Sequence, residues 1–151
     1  MDYQVKYKNF IKGFSIAEMI IVIAILALMI VVSISVYSNF QSHNNLEIAT
    51  YSVVEAIRHA KSNTEQVNGD SRWGVNISSG DVTVFKGDSY STRDTSSDQK
   101  LSLPNGITVS GLSEVVFEKV TGVALTVGTT TLSRDGVNKD IYINAKGTIT
   151  Y

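Results

Sequence analysis

The residues with the clearest chemical potential lie near the N-terminus, where one carboxylate borders a long apolar run. Glu18 directly precedes Met19–Val32, a stretch without a polar side chain. Burying an unpaired carboxylate in lipid costs about 2.5 kcal/mol or more. A cationic partner offsets that cost, and cleavage of the chain after Gly13 would create one, the free α-amino group of Phe14. The spacing therefore predicts that Glu18 pairs with the amino terminus of a neighbouring subunit in a low-dielectric helix bundle.

The apolar run that follows Glu18 is long enough to cross a bilayer as a helix. Ile16–Val36 just spans a hydrocarbon core of roughly 30 Å at ~1.5 Å per residue. The segment before the run is basic, whereas residues 38–45 contain no Lys or Arg. The positive-inside rule then places residues 1–13 in the cytoplasm and the bulk of the chain outside. We therefore predict a transmembrane helix over residues 14–37.

Two other kinds of targeting segment, a secretory signal peptide and a plain signal anchor, share these features. A secretory signal peptide would use residues 19–32 as its apolar region and Ser33-Ile34-Ser35 as its cleavage site. A plain signal anchor would keep the whole segment. Neither gains anything from Glu18, so the carboxylate favours a processing site before the apolar run, between Gly13 and Phe14.

This segment resembles the N-terminus of type IV pilins and pseudopilins, which carry a class III leader. The family pattern is Gly, then Phe, then Glu as the fifth mature residue, and here these are Gly13, Phe14 and Glu18. The resemblance implies a leader at residues 1–13, cleaved by a membrane-embedded aspartyl prepilin peptidase, and N-methylation of Phe14. It also implies that other pilins or pseudopilins are partners, bound through the N-terminal helix.

Beyond the membrane segment the pattern changes to that of an amphipathic helix over residues 38–67. Apolar residues recur at the i, i+3, i+4, i+7 spacing of one helical face. Because no Gly or Pro occurs between Phe14 and Asn68, one continuous helix of roughly 50 residues is allowed. Asn68-Gly69-Asp70 is a stop signal. The apolar face comprises Leu46, Ala49, Val53, Ala56, Ile57 and Ala60.

Residues 70–151 alternate with the period of strands and predict a small β domain. Arg72–Ile77 and Asp81–Phe85 form a hairpin, and residues 87–99 form a polar loop. The fold class is therefore α+β, a long N-terminal helix packed on a small antiparallel β-sheet domain. Further strands are expected at Lys100–Leu103, Ile107–Ser110, Glu114–Val120, Val123–Val127, Thr129–Leu132, Asp140–Asn144 and Gly147–Tyr151.

The β domain is similar, more weakly, to the minor pseudopilin H and FimT-type minor pilin domain. That family implies a long helix packed on two β-sheets and a place among minor subunits that often lie at the filament tip. The residues that carry the similarity are apolar and turn residues, namely Trp73-Gly74-Val75, Leu103–Val109, Phe117 followed by Gly122, and Ile141–Ile143 with Gly147–Ile149.

Catalytic and metal chemistry find little support in the sequence. There is no cysteine, and His43 and His59 are 16 residues apart without further ligands, so we expect no enzyme, no cofactor and no resident metal. Asp135, Asn138 and Asp140 offer oxygen ligands to calcium. A hairpin turn at Asp135-Gly136 is the favoured interpretation of that stretch, because it contains too few ligands.

DNA binding is the main alternative from another class of function. Residues 1–13 carry three lysines and one aspartate, so the chain beyond them has a net charge of −3, against −1 for the whole chain. That balance argues against a nucleic-acid partner, although folding could gather scattered cations. The loops at 87–99 and 133–139 could instead contact DNA or a surface receptor. The scattered cations are Arg72, Lys86, Arg93, Lys100, Arg134, Lys139 and Lys146.

The sequence therefore predicts a structural filament subunit first and a DNA- or receptor-binding minor subunit second. In both cases the chain starts as a single-pass inner-membrane protein whose C-terminal domain lies outside. A pilus, a competence system and a type II secretion system remain equally open.

Overall fold

The computed structural model describes residues 13–151, apart from the side chains of residues 32–39. The predicted leader therefore lies outside the described residues, except for Gly13. The chain divides into two compact units between Ser38 and Asn39. The described residues have the α+β composition expected from the sequence, with one long helix, one 3₁₀ turn and two antiparallel sheets.

The long helix, α1, spans Ile16–Glu65 and contains 50 residues. Its length confirms the expectation from the absence of Gly and Pro between Phe14 and Asn68, since either residue would weaken a helix interior. The helix ends two residues before the predicted end at 67. Val67 adopts a left-handed conformation with φ of 54°, and the 3₁₀ turn Asn68–Asp70 follows it.

The eight strands follow the helix in chain order and pair antiparallel within two sheets of four. The first sheet has the spatial order β3-β2-β1-β5, and the second has the order β4-β6-β7-β8. The strands are β1 (Trp73–Ile77), β2 (Asp81–Lys86), β3 (Asp94–Ser102), β4 (Thr108–Gly111), β5 (Glu114–Val116), β6 (Gly128–Arg134), β7 (Val137–Ile143) and β8 (Ile149–Thr150).

The main core lies where both sheets meet the C-terminal half of α1. The predicted apolar face of the helix is fully buried there, which confirms the periodic pattern of residues 46–60. Alternate residues of each sheet point at this face, because side chains along a strand alternate between the two sides. The sheets contribute chiefly Val75, Ile77, Val82, Val84, Leu132, Ile141 and Ile143.

A second, smaller apolar cluster covers the opposite face of the first sheet. Phe85 and Val116 are buried but lie outside the main core. The connection between β2 and β3, residues 87–93, folds over them and places Tyr90 edge-on to Phe85, with ring centroids 5.6 Å apart. Gly74 leaves room for Phe85, since a Cβ on Gly74 would lie 2.6 Å from that ring.

The first sheet corrects the predicted loop at 87–99. Residues 94–99 belong to β3, which continues to Ser102, so only residues 87–93 form a connection. The stretch has almost no apolar residue because β3 is an edge strand, paired only with β2, and most of its side chains face solvent. A strand of this kind lacks the apolar alternation by which strands are found in a sequence.

Other predicted strand boundaries were also wrong. The predicted strand Glu114–Val120 ends at Val116, and Val120 adopts a left-handed φ of 72°. The predicted strand Val123–Val127 is reduced to a single bridge between Ala124 and Phe117. The last strand, β8, covers only two of the five residues predicted at 147–151. The predicted hairpin of residues 72–85 is confirmed by β1 and β2.

Candidate assembly site around Glu18

The predicted processing site lies just outside the helix. Residues 13–15 are not helical, and α1 begins at Ile16. The carbonyl oxygen of Ser15 accepts hydrogen bonds from the backbone N–H groups of Glu18, at 3.1 Å, and Met19, at 3.2 Å. Ser15 is therefore the N-cap residue, and the bond between Gly13 and Phe14 lies in non-helical backbone.

Glu18 occupies the first turn of α1, where a carboxylate stabilises a helix. With Ser15 it forms the sequence Ser-x-x-Glu of a capping box, in which a Glu at this position reaches back to the N-cap backbone. Reasoning from the sequence missed this local role, although the Ser-x-x-Glu spacing could have revealed it. Glu18 thus has a structural role available without any neighbour.

The apolar side chains around Glu18 are largely exposed in the part of the chain that the structure describes. Phe14 is 76% exposed, and the large apolar residues from Ile16 to Val31 are all exposed by more than two fifths of their surface. Their exposure has no periodicity, so the segment lacks a polar face that could stay in water. A contiguous apolar surface of this size marks an interaction site.

The described residues contain no helix that is both long and apolar enough to cross a membrane.

Residues 135–140, considered above as calcium ligands, do not form a cluster of ligands. Asp135 and Gly136 have φ of 49° and 81°, and Arg134 pairs with Val137, so a tight hairpin turn joins β6 to β7 as favoured from the sequence. Asp135 Oδ2 already accepts hydrogen bonds from the Ser42 hydroxyl, at 2.5 Å, and from Arg134 Nε, at 3.4 Å. The Ser42 hydroxyl, and then Arg134, lower the pKa of the Asp135 carboxyl.

Elsewhere in the described part of the chain, histidines and carboxylates form no cluster that could hold a metal ion. His43 and His59 are both exposed. Across residues 13–151, without the side chains of 32–39, no group of three or more His, Asp or Glu could hold a metal ion.

Several cations that could have contacted DNA are held by carboxylates of the same chain. Arg72 spans Asp88, at 3.1 Å, and Glu118, at 2.7 Å, and these carboxylates raise the pKa of the guanidinium, Glu118 more than Asp88. Arg93 binds Asp98 at 2.9 Å.

Lys119, which was not among the predicted cations, contacts Asp70 and lowers the pKa of that carboxyl. The folded chain therefore neutralises much of its positive charge internally, and the loops proposed for DNA contact are not strongly basic.

One sheet edge contains a pocket that the sequence did not indicate. It has a volume of about 280 Å³. Asp88 of the β2–β3 connection forms one wall, and Leu125 and Thr126, in the segment before β6, form another. Val116 and Glu114 of β5 complete the lining. The Glu114 carboxylate accepts a hydrogen bond from the Tyr90 backbone N–H at 2.9 Å, and among the described residues it has no cationic partner.

Searches against protein-family models, curated proteins and solved structures found no match to this chain.

Proposed function

We propose that this chain is a structural subunit of a type IV pilus-like or type II secretion filament, of the minor pilin or pseudopilin class. It is made as an inner-membrane precursor, cut after Gly13 by prepilin peptidase and N-methylated at Phe14. Helix packing around residues 14–37 then forms the filament core at the cell surface or in the periplasm. The observation that carries the proposal is the uniformly exposed apolar surface of residues 14–31, interrupted by the single carboxylate of Glu18.

The local geometry around Gly13 supports processing at that position. The bond to be cut precedes the N-cap Ser15, so cleavage would leave the cap and the first turn of α1 intact. The new amino group on Phe14 would lie one residue before the cap. A neighbouring Glu18 could then reach this cation in an apolar bundle, where the pair sets the axial register of the helices.

The architecture of the β domain supports the narrower assignment to the class of pseudopilin H and FimT-type subunits. The similarity implies a helix packed on two sheets, and the chain has two four-stranded sheets on the C-terminal half of α1. The internal neutralisation of Arg72 and Arg93 favours a structural role over DNA binding.

Mass spectrometry of the mature N-terminus tests the proposal directly. We expect a first residue of N-methyl-Phe14 in the protein isolated from its producing cell. A chain that starts near Val36 would show a conventional signal peptide and end the filament argument. An uncut chain that retains residues 1–13 would show a plain anchor.

Two substitutions of Glu18 separate its pairing role from its capping role. Glu18→Gln removes the charge but keeps a side chain that fits the capping box, whereas Glu18→Ala removes both. We expect normal cleavage and loss of filament incorporation for both variants, because the lost charge is the one that pairs with a neighbour. Normal incorporation of Glu18→Gln would assign the residue to helix capping alone.

A further inference from the structure

Opposite edges of the first sheet carry opposite, unneutralised charges in the same transverse row. Register pairs Glu114 with Asn76, Asn76 with Thr83, and Thr83 with Lys100, so these four residues lie side by side across the sheet. Directly paired residues share a face, and Val75 and Ile77 point into the main core. The row therefore lies on the outer face, that is, the face opposite the main core, which also carries Phe85 and Val116. Glu114 lies at one end of the row and Lys100 at the other.

The two charges cannot neutralise each other within one copy of the chain. Three strand spacings separate the ends of the row, which places Glu114 and Lys100 roughly 14 Å apart. Lys100 is exposed, and neither side chain has an ion-pair partner among the residues that the structure describes. Nearby cations such as Arg72 and Arg93, which flank the strands of this sheet, are paired with carboxylates of the same chain.

The pocket at the Glu114 end has the composition that a lysine side chain requires. Leu125, 51% exposed, and the buried Val116 offer apolar surface for the methylene chain of a lysine, and Glu114 and Asp88 provide the charge. Arg72 occupies Asp88 and Glu118, which leaves Glu114 as the carboxylate without a cation.

The chain beside this pocket presents further apolar surface. Val123 and Val127 flank Leu125, and all three side chains are exposed. Val120 is 64% exposed although its φ of 72° is unfavourable for a β-branched residue. An exposed apolar patch beside an unpaired acid indicates a protein interface rather than a free surface.

We propose that this pocket receives Lys100 from a second copy of the chain. The pocket and Lys100 lie at opposite edges of one sheet, and the proposed contact joins one edge to the opposite edge of the next copy. Such a heterologous contact repeats to give rings or open chains. This contact adds to the proposed function and rests on it, because it takes the neighbouring molecule to be another subunit of the same filament.

The absence of cysteine from the sequence allows the contact to be trapped. Ser102→Cys places a thiol next to Lys100 on the outer face of β3, and Thr126→Cys places one in the wall of the pocket. The full-length double variant, reconstituted in lipid vesicles and mildly oxidised, is expected to give a ladder of dimers, trimers and larger species. Each single variant is expected to give no species larger than a dimer.

Charge reversal then tests whether the ladder depends on the proposed pair. Lys100→Glu and Glu114→Lys, each added to the double-cysteine chain, should lower the yield of trimers and larger species roughly tenfold, because like charges then face each other. The two reversals combined should restore the yield to within roughly twofold. The matched control, Ser110→Cys with Thr126→Cys, moves one thiol to the second sheet and should give no ladder.

Three results overturn the proposal, namely no crosslinking, dimers alone, or a ladder that ignores both charge reversals. None of them depends on processing at Gly13, since the vesicle experiment needs no peptidase. A correct N-terminus of N-methyl-Phe14 together with a missing ladder would therefore reject this contact and retain the proposed function.

Discussion

Two stretches of the same helix differ in how they meet their surroundings. Residues 16–31 are almost entirely apolar, and their large apolar side chains are exposed. Residues 46–64 alternate apolar and polar positions with helical periodicity, and their apolar face is buried under two sheets. In this helix, apolar residues with helical periodicity therefore pack against other parts of the same chain. The uniformly apolar stretch lacks such periodicity, and under the proposed function its cover is lipid or other copies of the chain.

The sharpest test of this comparison is one substitution repeated in each stretch. Ile57, fully buried, belongs to the covered face, and Ile23 is 61% exposed. Ile57→Ala should lower the free energy of unfolding by about 2–5 kcal/mol, because it leaves a cavity in the core. Ile23→Ala should change it by about 0.5 kcal/mol or less. Urea unfolding of the full-length chain in detergent measures both values.

The same pair should show the reverse order in assembly. Ile23→Ala is expected to reduce filament incorporation while the β domain stays folded. Equal losses of stability for Ile57→Ala and Ile23→Ala would mean that residues 16–31 already have a partner in the same chain, and the comparison would fail.

The end of the covered stretch depends on one buried hydroxyl. Thr64 Oγ1 accepts a hydrogen bond from the Trp73 backbone N–H at 3.1 Å and donates one to the Ala60 carbonyl at 2.9 Å. Thr64→Val should cost about 1–3 kcal/mol, because Trp73 loses its acceptor inside the core. Thr50→Val is the matched control, since Thr50 bonds only the carbonyl of Leu46 four residues before it.

We expect about 0.5 kcal/mol or less for the control, because Leu46 loses no obligatory partner. Measurement of both variants by urea unfolding separates a tie between helix and sheet from a general effect of buried threonine. Similar costs for Thr64→Val and Thr50→Val would show that the bond to Trp73 contributes little.

A substitution two residues beyond the end of the helix should yield a gain in stability. Val67 holds φ of 54°, a left-handed conformation that an L-residue with a branched side chain adopts at a cost of about 1–2 kcal/mol. Val67→Gly should therefore raise the free energy of unfolding by about 1 kcal/mol. Val75→Gly, in the middle of β1, should lower it. A loss of stability in Val67→Gly would indicate that packing of the valine outweighs its strain.

The part of α1 just before the covered stretch should contribute a small dependence of stability on pH. Ser42 of α1, and then Arg134, hold the pKa of Asp135 below its ordinary value of 3.8. The stabilisation is fully present above about pH 4 and is lost as the pH falls through the lower folded pKa. Ser42→Ala should therefore reduce the loss in urea midpoint between about pH 6 and about pH 3. An unchanged loss would remove Ser42 as the cause.

Sequence reasoning succeeded where one physical signal dominated. The helix and its buried face followed from the spacing of Leu46, Ala49 and Val53, and the turn at Asp135-Gly136 followed from the residues that tolerate positive φ. It failed at β3 and at Val123–Val127. An edge strand needs no apolar alternation, and an alternating apolar segment need not pair as a strand when its side chains remain exposed.

The candidate sites were predictable to different degrees. Glu18 was found as an acid at the border of an apolar run, but its position as the third helical residue after Ser15 required the observed start of α1. The pocket at Glu114 could not be predicted, because it depends on the register that places Val116 and Glu114 beside a distant loop. Register is a tertiary property that a single strand does not encode.

The contacts between the helix and the far end of the chain have a consequence for the order of folding. Ser42 meets Asp135, 93 residues later, and Lys61 meets Lys146, 85 residues later. The N-terminal helix is synthesised first, yet its apolar face receives its complete cover only when the last strand has emerged. Closing such long loops is slow. A newly made chain therefore passes through a period in which the face at Leu46–Ala60 is open to aggregation or to chaperones.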